Sequence, residues 1–329
     1  MFISLFGAVE SGIIYAIMAL GVYLTFRVLD FPDLTVDGSF VTGAAVASIS
    51  IMNGVPPILA TLFAAIGGFL AGCITGSLHA KGNINSLLSG ILMMIALYSI
   101  NLRIMGQPTL SLLQESTVFK QLESIWAATG IDGFLNGMLT SVGLEQLPST
   151  WSILFVMIVI TMLIKLVTDY YLKTEVGLAL RATGDNKRMI RSLSANTDAL
   201  IITGVGISNA LVALSGGLIA QHGGFADVGM GIGMIIIGLA SVIIGEALFG
   251  TKTIVWTTFA VIGGAVVYRI VVTMALRVEF LETGDMKLIT ALLVIAALVA
   301  PKVMKARKEN KRRRRKRAEL KETKAKGVV

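Results

Sequence analysis

Long apolar stretches, separated by short polar ones, follow one another along most of the chain. Most of them approach the ~20 apolar residues that an α-helix needs to cross a bilayer. The pattern therefore predicts an all-α, polytopic transmembrane helical bundle of about 8–10 membrane segments. The candidate segments lie near residues 3–26, 56–78, 86–105, 150–171, 199–220, 231–249, 254–275 and 287–301.

The apolar piece from Ser39 to Met52 is shorter than the others. It has about fourteen residues and follows a stretch that contains Pro32, so it predicts a half-helix within a broken or re-entrant segment near residues 30–53. If Ser39–Met52 crosses fully, the N-terminus lies outside. If residues 30–53 re-enter, the N-terminus lies inside, and we favour this arrangement.

Composition agrees with a membrane protein and excludes a soluble fold. Of the 329 residues, 55% are hydrophobic and 15% are charged, against about 25% charged in soluble domains. Cys73 is the only cysteine, which excludes a disulfide within the chain and a cysteine-based metal site. The first apolar segment lacks the pattern of a cleaved signal peptide, so we expect it to be retained.

Lysine and arginine predict which loops face the cytoplasm, because these residues stay on that side. Residues 173–198 contain five of them, whereas residues 106–149 contain Lys120 alone against four acidic residues. We therefore expect a cytoplasmic loop at 173–198 and an extracytoplasmic insertion with short helices at 106–149. Residues 1–303 form the predicted transmembrane domain.

The C-terminal tail is strongly basic. Residues 302–329 hold 14 Lys or Arg and 3 Glu, so the remainder of the chain is net negative although the whole carries +8. A basic extension beside a membrane segment favours contact with anionic lipid over nucleic acid. We expect residues 304–329 to be a cytoplasmic tail and expect no nucleic-acid partner.

Three carboxylates sit between two apolar segments in the stretch Asp30–Phe40. Charges at membrane depth are costly, and interrupted helices are tolerated where they face protein or water, so such breaks often line substrate cavities. This reasoning nominates Phe31, Asp33 and Asp37 for the substrate pathway. The alternative is an interfacial turn with solvated aspartates.

A short echo of this stretch occurs at Phe225–Val228, which shares the pattern Phe-x-Asp-aliphatic with Phe31–Leu34. Internal repeats are common in transporters, so Phe225 and Asp227 join the candidate pathway residues. If both loops flank one cavity, the two phenylalanines suit an apolar or aromatic ligand. Chance similarity and ordinary interfacial anchoring remain open.

Glycines at helical spacing predict close contacts between helices. Gly67–Gly68, Gly72 and Gly76 follow the small-xxx-small pattern, and Gly263–Gly264 adds a second such site.

The predicted cytoplasmic loop contains a short amphipathic helix, with Gly184, Asp185 and Asn186 as a break or cap between turns. A loop so rich in charge and turn residues favours docking onto a soluble subunit. A basic helix lying on the membrane surface is the alternative.

Several motifs together resemble a known family. The stretch Gly177–Gly217 is similar to the permeases of branched-chain amino-acid and ribose ABC importers. The front of the chain resembles one branch of that superfamily, often described as tryptophan or tyrosine permeases. The resemblance covers about residues 5–303. The resemblance to the tryptophan or tyrosine branch rests on Phe31–Phe40, Ile84–Ile91 and Ser99–Arg103.

The resemblance implies a set of partners. These are ATPase subunits at the cytoplasmic face, an extracytoplasmic substrate-binding protein and a second permease copy, which we expect to be identical. It makes the cytoplasmic loop the ATPase-coupling region. The coupling residues are then Gly177, Arg181, Gly184, Asp185 and Asn186. Two positions depart from the family: Ser194, where relatives commonly carry glycine, and Glu246, where many carry a small residue.

ATP hydrolysis must come from outside this chain. The nearest approach to a phosphate-binding loop, at 245–253, has its lysine displaced by one residue and lacks a preceding strand. We therefore expect no enzyme activity, no cofactor in this chain and ATP bound by partner subunits.

The sequence thus predicts a multi-pass permease of the cell membrane that imports an aromatic or other amino acid. The competing class is a secondary transporter driven by an ion gradient, which would rely on Glu10, Asp33 or Glu246.

Overall fold

The computed structural model describes residues 2–128, 130–141 and 147–275, together with positions 288, 291, 292, 295 and 299. Within these residues, eight helices are long and apolar enough to cross a membrane, which confirms the all-α polytopic bundle. The predicted segment 287–301 and the basic tail 304–329 lie outside the continuous described ranges.

Eleven α-helices and two short strands make up the described fold. The strands β1 (Thr109–Ser111) and β2 (Phe225–Asp227) pair antiparallel. The helices are α1 (Phe2–Tyr23), α2 (Thr35–Met52), α3 (Pro57–Ala80), α4 (Ser86–Met105), α5 (Val118–Ala127), α6 (Ile131–Ser141), α7 (Ser152–Lys173), α8 (Glu175–Ser192), α9 (Thr197–Gly223), α10 (Met234–Phe249) and α11 (Ile254–Ala275).

The predicted break follows α1. The helix widens into a π-helical turn over Leu24–Val28 and stops, and α2 begins only at Thr35. Pro32 cannot donate a helical hydrogen bond, and Asp30 takes a left-handed φ of 50° that ends the regular backbone. The broken segment is therefore present.

Helix α2 corrects the prediction of a half-helix. It begins at Thr35 rather than Ser39, and its 18 residues span about 27 Å at the standard rise. The Thr35 hydroxyl lies 2.8 Å from that of Thr75, near the end of α3. At the other end of α2, Ile51 packs with Ala60 and Leu112 beside β1.

The bundle has two ends, which fix the direction of α1. We call the end with β1 and β2 the β end and the opposite end the α8 end. The ring of Phe6 packs edge-on against Trp151, where α7 starts at the β end. The backbone of Val28 contacts Gly184 of α8. Helices α1 and α2 therefore run in opposite directions, and the favoured re-entrant arrangement is wrong.

Helix α9 lies at the centre of the bundle and contacts α1, α2 and α3. A Cβ on Gly68 of α3 would lie 2.3 Å from the Asn209 carbonyl oxygen, and one on Gly72 would lie 2.4 Å from that of Val205. Such distances leave no room for a side chain, so the glycines let the two backbones touch. The predicted close packing is confirmed at Gly68 and Gly72, but not at Gly67, where the atoms nearest to an added Cβ would lie at 3.5 and 3.6 Å.

Helices α10 and α11 pack in the same way. A Cβ on Gly264 would lie 2.0 Å from the Ser241 carbonyl oxygen, and one on Gly245 would lie 2.1 Å from that of Ala260. The interface predicted at Gly263–Gly264 is therefore present.

Candidate functional site

A cavity of about 450 Å³ lies between α2, α4 and the turn after β2. This volume falls within the ~300–1,000 Å³ of typical small-molecule sites. Most of its wall is apolar, with a few polar groups. The lining residues are Asp37, Gly38, Val41, Met94, Ile95, Tyr98, Ser99, Asn101, Val228, Gly231 and Ile232.

Asp37 is held rigidly at the cavity wall. Its Oδ2 accepts a hydrogen bond from the Gly233 amide at 2.9 Å, and its Oδ1 accepts one from the Ile235 amide at 2.8 Å. These amides belong to the start of α10, where a helix leaves donors unpaired and favours negative charge. Asp37 of α2 thus caps α10 while facing the cavity.

Asn101 supplies an unused acceptor. Its side chain is fully buried, and its Nδ2 donates to the Gly38 carbonyl oxygen at 3.1 Å. Its Oδ1 has no hydrogen-bond partner among the described residues. A buried acceptor without a partner costs free energy, and Asn101 is one of the residues that line the cavity. The sequence did not single out Asn101 as a site residue, although Asn101 belongs to the Ser99–Arg103 motif.

The cavity thus combines one carboxylate, one free amide oxygen and the exposed ring of Tyr98, which is 57% accessible. A small solute with a cationic and an apolar part matches this arrangement.

The other candidates from the first loop are close by but do not line the cavity. Phe31 is buried and its ring packs edge-on against His79, with 5.3 Å between the ring centroids. Asp33 is fully buried against α9. Of the five predicted pathway residues, the structure places only Asp37 in the cavity wall.

The echo at 225–228 does not bring Phe225 and Asp227 next to Phe31 and Asp33. Asp227 lies at the β end, where it accepts hydrogen bonds from the Thr109 hydroxyl at 2.6 Å and the Gly229 amide at 2.7 Å. Phe225 is 49% exposed there, whereas Phe31 contacts His79 near the end of α3 at the α8 end. Both stretches therefore contribute to the cavity wall, through Asp37 and Val228, but Phe31, Phe225 and Asp227 do not line it.

Helix α8 carries the predicted coupling residues. Asn186 has non-helical backbone angles, φ −156° and ψ 89°, and its side chain accepts a hydrogen bond from the Met189 amide at 3.1 Å. A kink capped by Asn186 therefore divides α8, as predicted. Asp185 and Asn186 are exposed, and Arg181 is half-buried.

The two glycines of the coupling set are packing positions. A Cβ on Gly184 would lie 2.1 Å from the Val28 carbonyl oxygen, and one on Gly177 would lie 2.1 Å from that of Tyr171. Gly184 therefore joins α8 directly to the end of α1, beside the break.

An ion pair inside the bundle was not anticipated. Lys165 and Asp169 pair one turn apart on α7 and are both buried. The Thr258 hydroxyl of α11 donates to Asp169 at 2.6 Å. The sequence signal was present, since both charges lie within an apolar segment, but only the fold shows that they neutralise each other.

A model of the family "branched-chain amino acid transport system, permease component" matches residues 4–298. The chain belongs to this family. The permease is 41% identical over 288 residues to a protein named tyrosine transport system permease protein from Clostridioides difficile, and the match covers 88% of each chain. It is 34% identical over 207 residues to an uncharacterized protein, RP368, from Rickettsia prowazekii, with 63% and 64% covered. No solved structure matches.

Family membership identifies the chain as a multi-pass membrane permease subunit of an ABC importer for amino acids. The ion-gradient alternative gains no support. Permeases of this family work with ATPase subunits and substrate-binding proteins.

Proposed function

We propose that the permease moves tyrosine, or another aromatic amino acid, across the cell membrane through the cavity between α2 and α4. The observation that carries this proposal is that three groups line one cavity. They are the fixed carboxylate of Asp37, the unpartnered Oδ1 of Asn101 and the exposed ring of Tyr98. The relative named as a tyrosine transport permease supports the same substrate.

The chemistry of the wall suits the two ends of such a substrate. Asp37 and the Oδ1 of Asn101 attract and accept from the ammonium group, because a carboxylate and an amide oxygen are both acceptors. Tyr98, Met94 and Val41 provide apolar and aromatic surface for the side chain.

Substituting the ring and the amide oxygen tests this proposal. Tyr98→Ala should weaken tyrosine binding to the solubilised importer, because an aromatic pair contributes about 0.5–1.5 kcal/mol, or roughly 2–10-fold in affinity. Asn101→Leu should weaken it further by removing the acceptor. Tyr170→Ala is the matched control, since Tyr170 is exposed on α7 away from the cavity. Unchanged binding in both cavity variants would refute the assignment.

The permease depends on partner ATPases that bind the ATP at the α8 end, which is the cytoplasmic side in this proposal. The basic residues of 173–198 support that side. Residues 245–253 run from the end of α10 to the residue before α11.

Helix α8 provides the coupling surface. Val176, Leu178 and Met189 are each about half exposed next to its charged residues, and such mixed surfaces are typical of docking sites. The contact between Gly184 and Val28 gives the helix a direct path to the broken α1–α2 connection.

Co-purification tests the coupling surface. Arg181→Ala and Asp185→Ala should reduce recovery of the ATPase with the permease and lower substrate-stimulated ATP hydrolysis by at least about threefold, since charge pairs at interfaces contribute a kcal/mol or more. Lys252→Ala is the control, because Lys252 is an exposed cation at the same end but outside α8. Equal losses in all three variants would point to general surface charge instead.

The second permease and the substrate-binding protein are assigned to other surfaces of the bundle. The cavity opens beside Ile95 and Tyr98 of α4 and Ile232 before α10, which are exposed, and this apolar opening supports a second, identical permease as the partner that covers it. The β end, with Phe225 and helices α5 and α6, then faces the extracytoplasmic binding protein. The basic composition of residues 304–329 supports anionic lipid of the cell membrane as a further partner.

A further inference from the structure

Asp33 is a fully buried carboxylate, and no basic residue among those that the structure describes forms an ion pair with it. Its Oδ1 accepts from the Thr35 amide at 2.9 Å, and its Oδ2 accepts from Asn209 Nδ2 at 2.6 Å. Both donors are neutral. Across the described ranges, the salt bridges involve other carboxylates, those of Glu246, Asp169 and Asp198.

A negative charge in this position needs a counter-charge. Moving an unpaired carboxylate into an apolar interior costs many kcal/mol, so such groups take up a proton or pair with a cation. Two neutral hydrogen bonds do not neutralise the charge. The choice between a proton and a metal cation then depends on what else surrounds Asp33.

Asn209 offers a second oxygen beside Asp33. Its Nδ2 donates both to Asp33 and to the Val205 carbonyl oxygen, at 2.9 Å for the latter. Both partners accept, which fixes the orientation of the amide and leaves Oδ1 as the other atom. Asn209 is fully buried, and its Oδ1 has no partner in the part of the chain that the structure describes. A cation bound by both side chains would satisfy this oxygen and neutralise the charge of Asp33 at the same time.

Further oxygens and a dipole favour a cation at the same place. The hydroxyls of Thr35 and Thr75 meet at 2.8 Å next to Asp33. Helix α1 ends just before the break, and the C-terminal end of a helix carries partial negative charge. Broken membrane helices supply oxygens of this kind to alkali cations in transporters.

We propose that Asp33, Asn209 and Thr35 bind a single sodium ion that fastens the broken α1–α2 connection to α9. One carboxylate matches one positive charge. Divalent calcium and magnesium ions usually have more than one carboxylate or several retained waters, whereas Asp33 is the one carboxylate that the described residues contribute to this set. The ion holds the connection in place and leaves ATP as the energy source.

Thermal unfolding of the purified full-length permease tests the site. Sodium chloride is titrated against choline chloride at constant ionic strength, without amino acid, so the result is independent of the tyrosine proposal. Sodium should raise the Tm of the wild type saturably, by about 3–6 °C if it reaches roughly 100 times the Kd. Asp33→Asn should abolish the shift, because it keeps the shape but removes the charge.

Asp227→Asn is the matched control. Asp227 belongs to the same Phe-x-Asp-aliphatic pattern but is paired with Thr109 and Gly229 at the β end. Its variant should keep the full sodium shift. Equal Tm values of the wild type in sodium and choline would overturn the proposal in favour of a protonated Asp33. A normal shift in Asp33→Asn would overturn it by placing the ion elsewhere.

If Asp33→Asn does not fold, a direct measurement of sodium binding tests the site. Equilibrium dialysis of the wild type with ²²Na⁺ should give one ion per permease chain, and Asn209→Ala should weaken that binding about tenfold through loss of one ligand. No bound sodium in the wild type would refute the site.

Discussion

The two residues that depart from the family pattern, Ser194 and Glu246, each have a physical effect in the structure. Ser194 has a φ of 61° between α8 and α9, in the left-handed region that favours glycine. Glu246 forms an ion pair with Arg27 and so links α10 to the end of α1. The first departure stores backbone strain, and the second adds a contact between helices.

Ser194→Gly should stabilise the permease. A non-glycine residue in the left-handed region costs about 1–2 kcal/mol, part of which is offset by the greater freedom of glycine in the unfolded chain, so we expect a gain of about 0.5–1 kcal/mol. Thermal unfolding in detergent measures it. Ser192→Gly, within α8, should instead lower stability by up to about 1 kcal/mol. A lower Tm for Ser194→Gly than for the wild type would contradict the backbone strain assigned to Ser194.

At the scale of elements, backbone contact between α3 and α9 holds the centre of the bundle. Helix association inside a membrane gains little from hydrophobic burial, because lipid tails are as apolar as leucine, so packing between small residues takes its place. Gly68 and the adjacent Gly67 differ sharply in this respect.

Gly68→Ala should be strongly destabilising, whereas Gly67→Ala should not. The added Cβ at 68 would lie 2.3 Å from both the Asn209 carbonyl oxygen and the Ala213 Cβ, but at 67 the nearest atoms are side-chain methyls at 3.5 and 3.6 Å. We expect Gly68→Ala to lose about 1–3 kcal/mol through overpacking. Thermal unfolding of the two variants checks this, and similar Tm values would refute the close approach.

At the scale of the whole molecule, the direction of α1 sets the topology. The start of α1 lies at the β end with Trp151, and its end lies at the α8 end with Gly184. The chain therefore makes a full crossing before α2 begins, and Arg27 shares the α8 end with the basic loop 173–198.

Cysteine accessibility distinguishes this topology from a re-entrant one. In a Cys73→Ser background, Arg27→Cys should react with an impermeant maleimide only after the cells are permeabilised, because Arg27 is exposed at the α8 end. Asn53→Cys, in the exposed turn between α2 and α3 at the β end, should react in intact cells. Labelling of Arg27→Cys in intact cells would restore the re-entrant alternative.

The sequence by itself determined the features that depend on local pattern. The spans followed from the length of each apolar stretch, because a bilayer demands about 20 apolar residues in a row. The break at Pro32 and the kink at Asn186 followed from residues that cannot continue a helix or that cap one.

Only the tertiary structure decided which distant residues meet. It extended α2 to Thr35, separated Phe225 and Asp227 from Phe31 and Asp33, and brought Asn101 to the cavity and Asn209 to Asp33. The free oxygens of the two asparagines cannot be read from a pattern, because whether a polar atom is paired depends on neighbours more than sixty residues away along the chain, such as Gly38 for Asn101. Membrane insertion is specified locally, whereas partners inside the bundle are set by helix packing.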